Sequence, residues 1–256
     1  MTSGETGERK GSRSKNGARL KIPAKRGWRT VLWVGLLCVW VFCSVVVSQL
    51  LVGWVMVFLL GSERFFEPMW TAVYSALSYA LALVLVLIAP LTKWRASTRE
   101  LLGLSETPTW TDIGLAPVGY IVATLLAAGL TWVFSQFAWF NAGEVQDLGY
   151  NFYMSGGERA VAFIATVVIA PVVEEVIFRG WLYGRLRTRL SGLVATLAVS
   201  VLFGLVHLQW NVGVNVFALS VVLCGLREVT GTIWAGILAH MIKNGVAFYL
   251  VYVVGM

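Results

Sequence analysis

The chain of 256 residues is 58% hydrophobic and only 13% charged, with a net charge of +7 and a mean hydropathy of +0.76. Soluble globular proteins carry about 25% charged residues, so this composition excludes an ordinary soluble enzyme and points to a chain built to sit in lipid. Cys38, Cys43 and Cys224 all fall inside apolar runs without a CxxC pair, which excludes a disulfide framework or a thiolate metal site.

Residues 1–27 open the chain with a cluster of Lys and Arg and almost no large apolar residue. Excess charge with little hydrophobicity predicts a disordered cytoplasmic tail. Because this tail abuts a span, it is read as an orienting flank that touches anionic lipid, and no nucleic acid is expected as a partner. Apolar runs then predict spans at Thr30–Leu60, Trp70–Leu91, Gly114–Phe140, Ala160–Tyr183, Leu193–Leu208, Val212–Leu226 and Ile233–Val254. The first run is far longer than a signal-peptide core and reads as a retained anchor. Between the spans, residues 96–113 look amphipathic and interfacial, 141–159 form the longest polar loop, and 184–192 are strongly basic. The expected fold is an all-α polytopic membrane helix bundle of about seven transmembrane helices. Six to eight crossings stay open, because Asn211 and Asn215 shorten the sixth run.

Lysine and arginine assign the sides. The tail, the loop bearing Lys93, Arg95 and Arg99, and the loop bearing Arg185, Arg187 and Arg189 all fall on one face when the N-terminus is cytoplasmic. The alternate loops carry only Arg64 and Arg159, offset by Glu63, Glu67, Glu144, Asp147 and Glu158.

Inside the spans the ionisable residues are few: Glu174, Glu175, Arg179, His207, His240 and Lys243. Each costs roughly 2.5–3.5 kcal/mol at a helix centre, so such groups face a bundle interior or a wet cavity. Both histidines of the chain are among them, and all six lie in its C-terminal third, which favours one shared site. Glu175 and Arg179 are four apart and stack as an ion pair, while Glu174 lies about 100° away round an α-helix and is left free to act as a base. Phe203 and His207 repeat the four-residue spacing, as do His240 and Asn244. Three helices could thus converge a carboxylate, two imidazoles and an amide on one cavity. A carboxylate in apolar surroundings can serve as a general base near neutrality, and an imidazole with an amide can hold a developing oxyanion. Lys243 sits close to the His240 face, where it either bears on that imidazole, snorkels outward or binds a substrate carboxylate.

"EEVIFRG" (174–180), "FGLVH" (203–207) and "HMIKN" (240–244) resemble, in order and on separate helices, the E-E-x-x-x-R, F-x-x-x-H and H-x-x-x-N motifs of the CAAX-protease and bacteriocin-processing family of intramembrane endopeptidases. The resemblance covers about residues 155–250. It implies that Glu174 and His207 activate the attacking water, that His240 and Asn244 hold the oxyanion, and that Glu175, Arg179 and Phe203 support the site. It further implies a peptide or protein substrate at the membrane, prenylated for some members of the family. The family has been described both as metalloproteases and as metal-independent glutamate proteases. The metal-free form, without a cofactor, is preferred here because an asparagine amide is a better oxyanion donor than zinc ligand; zinc held by Glu174, His207 and His240 is the alternative. On this reading the chain divides into the tail (1–27), N-terminal transmembrane helices with the interfacial segment (28–140) and a C-terminal transmembrane catalytic core (141–256). The expected location is multi-pass in the cell membrane, with the endoplasmic reticulum membrane as the alternative.

Two rival readings use the same residues. A non-catalytic scaffold, immunity or regulatory protein of this fold has no need of both histidines and Asn244. A proton-coupled transporter is disfavoured because the halves show no internal repeat and no matching pair of broken spans.

Overall fold

The computed structural model describes residues 27–88, 99–143, 148–150 and 153–255. The expected disordered tail, Lys93, Arg95, Glu144 and Asp147 therefore lie outside the described residues. Every regular element among those described is helical: α1 (Trp28–Leu60), α2 (Ser62–Phe65), α3 (Pro68–Leu87), α4 (Arg99–Leu102), α5 (Trp110–Phe134), α6 (Gly156–Arg187), α7 (Gly192–Leu205), α8 (Trp210–Thr230) and α9 (Trp234–Val254). By length and composition, α1, α3, α5, α6, α8 and α9 can each cross a membrane. The all-α polytopic bundle is thus the observed architecture.

The helix ends follow local chemistry. Proline opens α3, where its missing N–H costs nothing. Thr109 caps α5 through a reciprocal box with Asp112, so this helix starts four residues earlier than its apolar run. Ser155 and Glu158 do the same for α6, drawing part of the expected polar loop into the helix. In place of a free interfacial segment, α4 docks on the protein. A Cβ on Gly184 would run into the Leu101 carbonyl oxygen, and one on Gly180 would stand 3.0 Å from that of Leu102. Only glycine admits so close an approach.

The weak crossing is the fifth rather than the sixth. At 21 residues, α8 is a full span; Asn211 and Asn215 do not truncate it, because they face a cavity instead of lipid. It is α7 that is short. Its 14 residues rise only about 21 Å against ~30 Å of hydrocarbon, and Leu208 (φ 57°) turns the chain back into α8.

A buried core centred on α6 joins it to α1, α3, α7 and α8 through Leu37, Val41, Val86, Trp181, Phe203 and Val216. A second cluster of small and aliphatic residues packs α5 against α8 and α9. The bundle has two distinct ends. At one, Arg227 donates to the carbonyls of Glu100 and Leu101, the Ile233 amide to Gly103, and the Trp234 indole to Glu106. Arg187 pairs with Glu228 there at 2.6 Å, and Arg189 lies over the Trp33 ring. At the other end Trp139 meets Trp210, Phe65 meets Tyr74, and Tyr150 meets Tyr252. Among the described residues, Arg29, Arg99, Arg185, Arg187, Arg189 and Arg227 all belong to the first end.

Candidate active site

The residues singled out in the sequence come together where α3, α6, α7, α8 and α9 meet. Glu174, His207, His240, Lys243 and Asn244 line one cavity of about 370 Å³, together with Tyr79, Asn211 and Asn215. Lys243 thus turns into the cavity and not out to lipid.

Local irregularity in α6 builds the site. Residues Ile164–Ile169 and Glu175–Tyr183 are wound as π-helix, so the Ala170 amide bonds to Ala165, five residues back. In that register the next donor, to the Thr166 carbonyl, would be residue 171. Pro171 has no N–H. The Asn244 side chain fills the gap, its Nδ2 donating to the Thr166 oxygen at 2.9 Å. One N–H of the amide is therefore spent on fixing Asn244, and the second is left for the cavity. Pro171 was visible in the sequence, but an α-helical reading hides its consequence.

Behind the cavity, Glu175 and Arg179 are both 0% exposed and paired at 2.8 Å. Glu175 Oε1 also meets His240 Nδ1 at 3.1 Å, so the carboxylate bridges the guanidinium and the imidazole. The other oxygen, Oε2, lies against Gly236, where a Cβ would stand 3.0 Å from it. The Arg179 guanidinium in turn lies 4.4 Å above the Phe203 ring, whose edges meet Phe178, His207 and His240. A buried pair of this kind is costly to desolvate, and removing one partner typically costs 3–5 kcal/mol. Here it orients His240.

Hydrogen-bond logic assigns the ring nitrogens. His207 Nδ1 contacts the Phe203 carbonyl at 2.7 Å; a carbonyl only accepts, so Nδ1 carries the proton and the Nε2 of neutral His207 is an acceptor. For His240, Glu175 sits at Nδ1 while Nε2 faces Glu174 Oε2 at 3.6 Å. A carboxylate stands at each side of that ring. Glu174 itself is not free: Tyr79 donates to its Oε1 at 2.7 Å. Tyr79 went unnoticed in the sequence because a tyrosine in an apolar span carries no charge to mark it. Asn211 and Asn215 gave a signal, two amides four apart, that reads equally well as the end of a span.

Tyr150, Leu148 and Ala142 line the cavity from the loop between α5 and α6. Burial pushes the Tyr150 phenol above its usual range, so it stays a neutral hydroxyl throughout the physiological pH range. No group of three or more His, Cys, Asp or Glu suited to hold a metal ion occurs among the described residues. Glu174, His207 and His240 share one cavity.

Residues 156–246 match the family described as Type II CAAX prenyl endopeptidase Rce1-like. The match coincides with the segment bearing the three motifs and bears out the resemblance read from them. A relative from Bacillus subtilis (strain 168), described as "Putative membrane peptidase YdiL", is 26% identical over 175 residues, spanning 67% of this chain and 68% of its own length. No solved structure matches the chain.

Proposed function

From a chain whose residues 156–246 carry a CAAX-endopeptidase family domain, we propose an intramembrane endopeptidase in which Glu174 activates water against a peptide bond of a membrane-associated peptide or protein. The observation that carries this reading is the convergence of Glu174, His207, His240 and Asn244 on one cavity, backed by the buried Glu175–Arg179 pair. A site of this kind needs a base, an acceptor to orient water, and donors for the oxyanion.

The steps follow from the donors and acceptors. Water sits between the Glu174 carboxylate and His207 Nε2, giving one hydrogen to each. Glu174 takes its proton as the water oxygen attacks the carbonyl carbon. The carbonyl oxygen becomes an oxyanion and accepts from His240 Nε2–H and from the second N–H of Asn244. With Nδ1 held by Glu175, a donating Nε2 makes His240 an imidazolium, and Glu175 lies between it and the Arg179 guanidinium in alternating charge. Collapse expels the amine, which takes the proton from Glu174. The products are a carboxylic acid and an amine, and the base is restored. Tyr79 holds Glu174 Oε1 and so aims Oε2 at the reacting centre. No step passes through a metal.

The test is cleavage of candidate peptides in liposomes by wild type and Glu174→Gln. A positioned general base contributes about 10²–10⁴-fold, so the variant should lose at least about 100-fold in kcat while remaining folded. Equal turnover by the two proteins would sink the mechanism and favour the scaffold reading.

A further inference from the structure

We propose that the cavity takes its substrate from the non-cytoplasmic side of the membrane, so that the polypeptide cut there is an exported segment and not a cytoplasmic tail. The inference rests on the endopeptidase reading for what happens at the site, but its geometry stands independently.

Three observations combine. First, the cavity lies entirely on one side of Glu174. On α9 its lining runs from His240 through Asn244 and Ala247 to Tyr252, towards the C-terminal end of that helix. On α3, Ser75 and Tyr79 belong to the N-terminal part, and on α8 the lining stops at Val216. Loop residues Ala142, Leu148 and Tyr150 complete the wall. All of these point to the end of the bundle where Trp139 meets Trp210 and Tyr150 meets Tyr252.

Second, the opposite direction is plugged. Below Glu174 the α6 side chains of Glu175, Arg179, Trp181 and Leu182 are 0% exposed, and Gly180 and Gly184 lie against the backbone of α4. From Ile177 to Leu186 every residue of α6 is buried.

Third, the plugged end is the basic one. Arg29, Arg99, Arg185, Arg187, Arg189 and Arg227 adjoin the helix ends of that side, and along the sequence eight Lys and Arg precede Trp28 while Lys93 and Arg95 fall between α3 and α4; the other four of the 20 are Arg64 and Arg159 at the open end and Arg179 and Lys243 within the bundle. An excess of Lys and Arg in short flanks and loops marks the cytoplasmic side. The plug therefore faces the cytoplasm and the cavity mouth faces away from it. A segment of extended polypeptide entering from that side meets Asn244, Lys243 and His240 in turn along α9 before it reaches Glu174.

Site-directed labelling decides the question without any need for turnover. In intact cells, with Cys38 and Cys43 replaced by alanine and buried Cys224 retained, single cysteines are placed at Ala247 and at Ser75 in the cavity. Phe66→Cys marks the open end and Thr188→Cys the basic end. A membrane-impermeant maleimide should modify Ala247→Cys, Ser75→Cys and Phe66→Cys at least ten-fold faster than Thr188→Cys, which should react only after permeabilisation. Modification of the cavity cysteines only together with Thr188→Cys, or of Phe66→Cys only after permeabilisation, would overturn the proposal. Repeating the labelling in Glu174→Gln separates the two claims: sidedness is expected to be unchanged there, whereas failure of the endopeptidase reading would appear only in cleavage.

Discussion

Tyr79 and Glu174 come from helices 95 positions apart in sequence, yet the phenol donates to the carboxylate at 2.7 Å. A hydrogen bond to a charged group contributes about 1.5–3 kcal/mol, part of which should appear in the transition state. Tyr79→Phe is therefore expected to lower kcat/KM about ten-fold with little change in the thermal unfolding midpoint in detergent. A loss as complete as that of Glu174→Gln would instead make Tyr79 a participant in proton transfer. At this scale the charged and imidazole residues were legible because each stands out against an apolar background that penalises it. Tyr79, Asn211 and Asn215 were not, since neutral polar side chains occur in spans for packing or for their ends as readily as for chemistry. The second contact of Glu175, to His240, depends on the approach of α9, which no spacing along α6 reveals.

Six of the seven predicted spans correspond to helices able to cross a membrane, because runs of about 20 apolar residues leave the backbone few alternatives to helix. What periodicity could not supply was the kind of helix. The 100° step per residue used to separate Glu174 from Glu175 describes an α-helix, whereas α6 passes into π-helix at Glu175 and had already done so at Ile164. Pro171 sits between these stretches and leaves the Thr166 carbonyl to Asn244. Pro171→Ala would return a backbone donor to compete for that carbonyl and so loosen Asn244. The expected result is a several-fold fall in kcat with an unchanged or higher unfolding temperature, read by cleavage and by thermal denaturation. A fall in stability without a fall in kcat would show that Asn244 is held by something else.

Across the whole molecule, one end is clasped and the other is hollow. Arg227 gathers the Glu100 and Leu101 carbonyls and that of Gly231, while Arg187 and Glu228 pair close by. Arg227→Ala should therefore destabilise the protein by about 1–3 kcal/mol, the cost of leaving carbonyls without donors, and lower its unfolding midpoint. Because the clasp is remote from Glu174, initial cleavage rates at moderate temperature should stay within about two-fold of wild type. A large loss of rate at full folding would mean that the clasp and the cavity are coupled. Basic loops and a plug on the same end were half legible: the charges could be read along the chain, but the direction in which the cavity opens could not.

The shortness of α7 has a bearing on supply. Hydrolysis consumes one water for each bond cut, and hydrocarbon holds almost none. A helix of about 21 Å stops some 9 Å short of a full crossing, and His207 follows directly after it, beside the cavity. On the proposed endopeptidase reading, this shortfall leaves a depression at the level where the second reactant is needed. Aqueous solvent can refill the depression after every turnover without crossing an oil layer, so delivery of water need not set the pace of the reaction.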